Sequence, residues 1–159
     1  MAQAIAAYLH FISIFMLFAL LVLEHRLFRL PLTLERARNL VIVDLLYGVC
    51  AGLVLFTGVA RALWFAKGPE FYLYNSLFVA KVGLFVVVGL LSSYPTFTYL
   101  NWRNELKAGH IPNPSPRQGT LVVLTIRVEL LLLLLIPLLA TLMARGYDLH
   151  SLGITFSVP

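Results

Sequence analysis

Four long apolar runs, separated by short polar stretches, dominate the pattern of hydrophobic and polar residues along this chain. From Ile5 to Leu23 the only ionisable side chain is His10. A run of this kind suits a transmembrane helix, which needs ~20 apolar residues to cross ~30 Å of hydrocarbon. The pattern therefore predicts an all-α, integral membrane four-helix transmembrane bundle with spans at about residues 5–24, 41–66, 73–96 and 120–143.

The first predicted helix has one polar face. At 100° per residue, the residues that share a side with His10 include most of the polar groups of this helix. Ionisable groups inside a membrane usually face the interior of a bundle, so this side is predicted to look inward. Its members are Ser13, Ile14, Leu17, Leu21, Glu24 and His25.

The connections between the runs suggest a single transmembrane domain and its orientation. Residues 101–118 are polar and rich in proline, so they form the one substantial loop, and residues 145–159 form a tail. Basic residues favour the cytoplasmic side of a membrane. Loops one and three are therefore expected in the cytoplasm, with the tail and both termini outside. Loops one and three hold Arg26, Arg29, Arg36, Arg38, Arg103, Lys107 and Arg117, against Arg61, Lys67 and Arg145 in the second loop region and the tail.

Composition supports the same class of protein. The 159 residues are 60% hydrophobic and 12% charged, with a mean hydropathy of +0.90, which lies outside the range of soluble domains. The net charge of +5 comes mainly from residues beside the spans, where lipid headgroups are the expected partner. No nucleic acid partner is expected. Cys50 is the single cysteine, which excludes an internal disulfide.

Two features of the second helix predict contacts with other helices. Gly48 and Gly52 have the spacing that permits close approach of another helix, and packing within the chain is favoured over a dimer face. Asp44 lies near the cytoplasmic end of this helix. Arg127, on the fourth helix, is expected to pair with it and so neutralise both charges.

Three ionisable residues inside the spans are candidate functional groups. His10 and Lys81 lie ~8 and ~12 Å from the outer starts of their helices, at 1.5 Å per residue. His10 fits a haem ligand, a proton relay or a hydrogen-bonded packing residue. Lys81 fits a partner for a ligand carboxylate, a partner for Glu129, or a residue that reaches the outer interface. Glu129 is the best candidate for a proton carrier.

Short stretches of three helices match the pattern of a known family: Leu9-His10, Phe18-Ala19, Leu21 and Arg26-Leu27-Phe28 in the first, Val79 to Leu84 in the third, and Arg127 with Glu129 in the fourth. They resemble the HemJ-type bacterial membrane protoporphyrinogen oxidases. This chain departs from that pattern at Leu17, Leu20, His25 and Tyr94-Pro95, where the family has tryptophan, glycine, proline and an aromatic-histidine pair. The chain is also similar to an uncharacterised set of predicted bacterial inner-membrane proteins with the same layout from Lys81 to Pro95.

The resemblance implies a bundle that binds haem b through His10, with Lys81 as the second functional residue. The family oxidises protoporphyrinogen and is expected to pass electrons to a quinone. A second axial ligand would be water, Lys81, a methionine or His150, since His25 lies ~22 Å further along the first helix. His25 is interpreted as an interfacial residue.

Two functions follow as hypotheses. The first is a haem-b redox protein of the bacterial inner membrane, with periplasmic termini, that acts on a porphyrinogen-like substrate or carries electrons to a quinone. Lys81 and Glu129 would then be catalytic, and His10 the metal ligand. The second is a non-enzymatic accessory or structural subunit of a larger membrane complex. Whether the protein is an enzyme, and whether it forms a homo-oligomer, stays open at this point.

Overall fold

The computed structural model describes residues 1–65 and 75–148. The predicted boundaries at residues 66 and 73, residues 149–159 of the tail, and the alternative ligand His150 lie outside the described residues. Within the described part, the chain forms four long helices and one short one. The helices are α1 (Ala2–Leu27), α2 (Leu34–Ala60), α3 (Ser76–Asn101), α4 (Arg103–Lys107) and α5 (Pro116–Ala144), and a π-helical segment, Arg61–Phe65, continues α2.

Each of the four long helices, α2 together with the π-helical residues up to Trp64, is long and apolar enough to cross a membrane. The prediction of an all-α protein with four such helices is confirmed. The helix α1 packs most extensively on α2, and α3 on α5, while smaller contacts join α1 to α5 and α2 to α3. The helices therefore form a ring in which α1 and α3 lie diagonally opposite.

Capping side chains explain where three of these helices begin. Thr33 accepts a hydrogen bond from the Arg36 N–H at the start of α2, and Asn75 accepts two in the same way at the start of α3. At the start of α5, Ser115 and Gln118 form a reciprocal capping box. This box starts the helix at Pro116, before the predicted apolar span.

The inward face of α1 lies where the polar pattern predicts it. Ser13, Leu17, Leu21 and Glu24 are all buried, and His10 is half-buried. The polar residues therefore identified the core side of this helix correctly.

The predicted packing of Gly48 and Gly52 against another helix of the same chain is wrong. Both glycines are exposed, and a Cβ atom added at either would meet nothing within 4 Å. A leucine at position 52 is therefore expected to be tolerated by the fold rather than to disrupt it. The close approach on α2 lies instead at Gly58, which faces α1.

Candidate functional site

His10 is hydrogen-bonded to α2. Its Nδ1 atom lies 2.8 Å from the Thr57 hydroxyl oxygen, and that hydroxyl lies 2.6 Å from the Leu53 carbonyl oxygen. A threonine hydroxyl has a single proton, and here it is donated to Leu53, so the hydroxyl accepts from His10. In the neutral form of this imidazole, a proton on Nδ1 leaves a lone pair on Nε2. This is the arrangement that a metal-binding histidine normally has, because a second-shell acceptor selects its tautomer.

Gly58 lets the ring of His10 lie close to α2. A Cβ atom at this position would lie 3.2 Å from His10 Cε1 and 3.8 Å from Nδ1. The first distance is shorter than an ordinary contact between carbon atoms. The absence of a side chain at position 58 therefore permits the hydrogen bond between His10 and Thr57.

Two cations lie within electrostatic range of His10: Lys81 on α3 and Arg61 at the start of the π-helical segment. The Lys81 Nζ atom lies 4.8 Å from the centre of the Phe78 ring, and the Arg61 guanidinium lies 5.4 Å from the centre of the Phe11 ring. Both contacts are of the cation–π type.

The structure thus brings His10 and Lys81 together at the end of the bundle where α1 and α3 begin and α2 ends. We call His10, Arg61 and Lys81 the cationic site. Arg61 is the member that the sequence reasoning missed. Its signals were a charge that interrupts an apolar run and, in the structure, a π-helical turn, which is often found at functional sites.

Glu129 lies apart from the cationic site. It is fully buried, neither of its carboxyl oxygens has a hydrogen-bond partner, and the charges within its electrostatic range belong to Glu24 and Asp44. A pairing of Glu129 with Lys81 therefore has no support. The catalytic roles of Lys81 and Glu129 stay predictions.

The predicted pair of Asp44 and Arg127 is wrong. The Asp44 carboxylate accepts a hydrogen bond of 2.7 Å from the Thr96 hydroxyl on α3. Arg127 is exposed, and its Nε donates to His25 Nε2 at 3.2 Å. Asp44 is buried whereas Arg127 is exposed, and each has a polar partner on another helix.

The described residues offer limited means of holding a metal ion or cofactor. They contain no group of three or more His, Cys, Asp or Glu side chains that could hold an ion. A haem needs only an axial ligand, which His10 Nε2 can supply, and cations for its propionates, which Arg61 and Lys81 can supply. Two surface grooves of about 520 and 600 Å³ border the loops at the other end of the bundle, and His10 lines neither.

Four apolar helices around a core that contains ionisable groups define a multi-pass integral membrane protein. The chain belongs to the family described as predicted membrane protein (DUF2214), whose model matches residues 2–148. Comparisons with curated proteins and with solved structures gave no match. The similarity to uncharacterised membrane proteins is therefore confirmed, while the narrower resemblance to HemJ-type oxidases stays a prediction.

Proposed function

We propose that this protein binds haem b through His10 and acts as a redox protein of the bacterial inner membrane. The observation that carries the proposal is the hydrogen bond between His10 Nδ1 and the Thr57 hydroxyl, which in turn lies 2.6 Å from the Leu53 carbonyl oxygen. This chain of hydrogen bonds favours the tautomer with the proton on Nδ1, whose Nε2 lone pair suits ferrous or ferric iron.

The charges around His10 support an anionic ligand. Arg61 and Lys81 lie within electrostatic range of one another and of His10, inside an apolar bundle. Two cations kept together in this way are unfavourable unless an anion joins them. The two propionates of a haem would neutralise both, which also accounts for the position of Lys81.

When bound, the haem would supply one-electron chemistry, and the protein would supply binding and electrostatics. His10 would hold the iron, Arg61 and Lys81 would hold the carboxylates, and Phe11 and Phe78 would pack at the edge of the site. No second histidine among the described residues lies beside His10.

A site near the ends of the helices suits exchange of electrons with a partner dissolved in the lipid, such as a quinone or a porphyrinogen. With both termini periplasmic, as the basic residues of the loops suggest, the cationic site would lie in the outer half of the membrane. Arg61 would then extend the set of binding residues beyond His10 and Lys81.

The absorption spectrum of the full-length protein, purified in detergent from haem-replete cells, tests the proposal. The wild-type protein should show a Soret band, and His10→Ala should lose it. Thr57→Val should weaken haem binding by about 10- to 100-fold, as loss of a second-shell partner does, while Thr57→Ser should retain it. His25→Ala is the matched control and should leave the band unchanged. A wild-type protein without a Soret band, or a full band in His10→Ala, would refute haem binding at this site.

The second candidate function is that of an accessory subunit without catalytic activity. The observation in its favour is the outward face of α2, where Gly48 and Gly52 leave room for a helix of another chain. If the wild-type protein has no Soret band and co-purifies with a partner that is lost in Gly52→Leu, this second function is the better one.

A further inference from the structure

Polar side chains from all four long helices meet in the core, in the half of the bundle away from His10. Glu24 of α1, Asp44 of α2 and Glu129 of α5 lie within electrostatic range of one another. We call these three residues the acid cluster. Their exposed fractions are 1%, 7% and 0%, so water does not solvate them. Along α1, Glu24 lies ~21 Å from His10, which separates the acid cluster from the cationic site.

Two tyrosines complete the surroundings of the acid cluster. Tyr47 of α2 and Tyr99 of α3 both lie within electrostatic range of all three carboxyl groups. Tyr99 is fully buried, and its hydroxyl lies beside Glu24 without a hydrogen bond of regular geometry. A buried hydroxyl is normally hydrogen-bonded, and the Glu24 carboxyl group is the polar neighbour that could bond to it.

Among the residues that the structure describes, no cation balances the acid cluster. Arg127 lies two residues before Glu129 on α5, but it is exposed and donates to His25. No basic residue of the described part lies within electrostatic range of any of the three carboxyl groups. Three ionised carboxylates would therefore place three like charges in an apolar core, which is strongly unfavourable.

The hydrogen bonds indicate which members of the cluster are neutral. Asp44 accepts a hydrogen bond from Thr96, so it has a donor that stabilises a negative charge. Glu24 Oε1 and both oxygens of Glu129 have no donor. A carboxyl group that is buried without a donor is far more stable when it carries a proton.

We propose that the acid cluster is an internal proton-binding site, with one proton on Glu24, one on Glu129, and the Tyr99 hydroxyl as the polar group beside Glu24. The ligand is a proton rather than a metal ion, because the described acids do not form a group that could hold an ion. Binding of a proton forms one O–H bond on a carboxylate, so it needs no oxidant or reductant. The site does not depend on haem at His10.

Infrared spectroscopy of the full-length protein in detergent at neutral pH tests this site, since a protonated carboxyl group and a carboxylate absorb at different frequencies. The wild-type spectrum should contain the C=O stretch of protonated carboxyl groups. Glu24→Gln and Glu129→Gln should each remove roughly half of that absorbance, because each removes one of two protonated groups, and the double variant should remove all of it. Glu35→Gln, at an exposed position of α2, is the control and should leave the absorbance of protonated carboxyl groups unchanged.

The outcome of this experiment is decisive even if a variant does not fold. Exposed acids are ionised at neutral pH, so protonated carboxyl absorbance in the wild-type protein supports the proposal by itself. A wild-type spectrum with carboxylate bands alone would overturn it, as would carboxylate bands that respond to added Na⁺ or Ca²⁺. Protonated absorbance that survives in a folded double variant would also overturn the assignment to Glu24 and Glu129.

Discussion

Replacement of Gly58 by alanine tests the packing of His10 against α2. The new Cβ atom would lie 3.2 Å from His10 Cε1, whereas carbon atoms in contact prefer about 3.5–4.0 Å. The imidazole must therefore move by about 0.3–0.8 Å. Such a movement weakens its 2.8 Å hydrogen bond to Thr57, because the usual range for such bonds ends at about 3.2 Å.

The expected loss of stability follows from two opposing effects. Overpacking at a close contact costs about 1–3 kcal/mol, while alanine favours a helix over glycine by about 0.5–1 kcal/mol. Gly52→Ala is the matched control on the same helix, since its Cβ meets nothing and only the favourable effect remains. The difference between the two variants, about 1–3 kcal/mol, isolates the contact with His10.

Unfolding in mixed micelles by increasing the fraction of SDS, followed by the circular dichroism of the helices, measures this difference. Gly58→Ala should unfold at a lower fraction of SDS than the wild-type protein, or at nearly the same fraction. Gly52→Ala should unfold at a slightly higher fraction of SDS than the wild-type protein. Equal stabilities of the two variants, within about 0.3–0.5 kcal/mol, would refute the packing of His10 against Gly58.

Two further predictions concern the polar contacts between helices. Thr96→Val removes the hydrogen-bond donor to Asp44 and should reduce the free energy of unfolding by about 1.5–3 kcal/mol. The control Thr98→Val removes an exposed hydrogen bond within α3 and should change that free energy by less than about 0.5 kcal/mol. Equal effects of the two variants in the SDS titration would contradict the contact between Thr96 and Asp44. In a double-mutant cycle, the effects of Asp44→Asn and Arg127→Ala on the free energy of unfolding should be additive within about 0.3–0.5 kcal/mol. The effects of Arg127→Ala and His25→Ala should not be additive, because these two side chains are hydrogen-bonded. Non-additive effects of the first pair alone would support the ion pair predicted from the sequence.

The sequence alone determined where the helices lie and which side of α1 faces the core. An apolar run of sufficient length must form a helix in lipid, because the backbone groups have no other partner there, so the four helices follow from local composition. A charge or a histidine inside such a run avoids lipid, and for α1 this put His10, Ser13 and Glu24 on the inward side.

Tertiary structure decided which residues meet. In α2 the apolar pattern does not distinguish the core from the lipid, because lipid tails are as apolar as leucine, so the outward position of Gly48 and Gly52 could not be read from it. The partner of Asp44 depends on the rotation of α3, which brings Thr96 rather than Arg127 to its carboxylate. In the same way, Arg61 joins His10 only after the end of α2 has packed against α1. Contacts between helices arise from shape and relative rotation, which a single sequence of apolar residues leaves open.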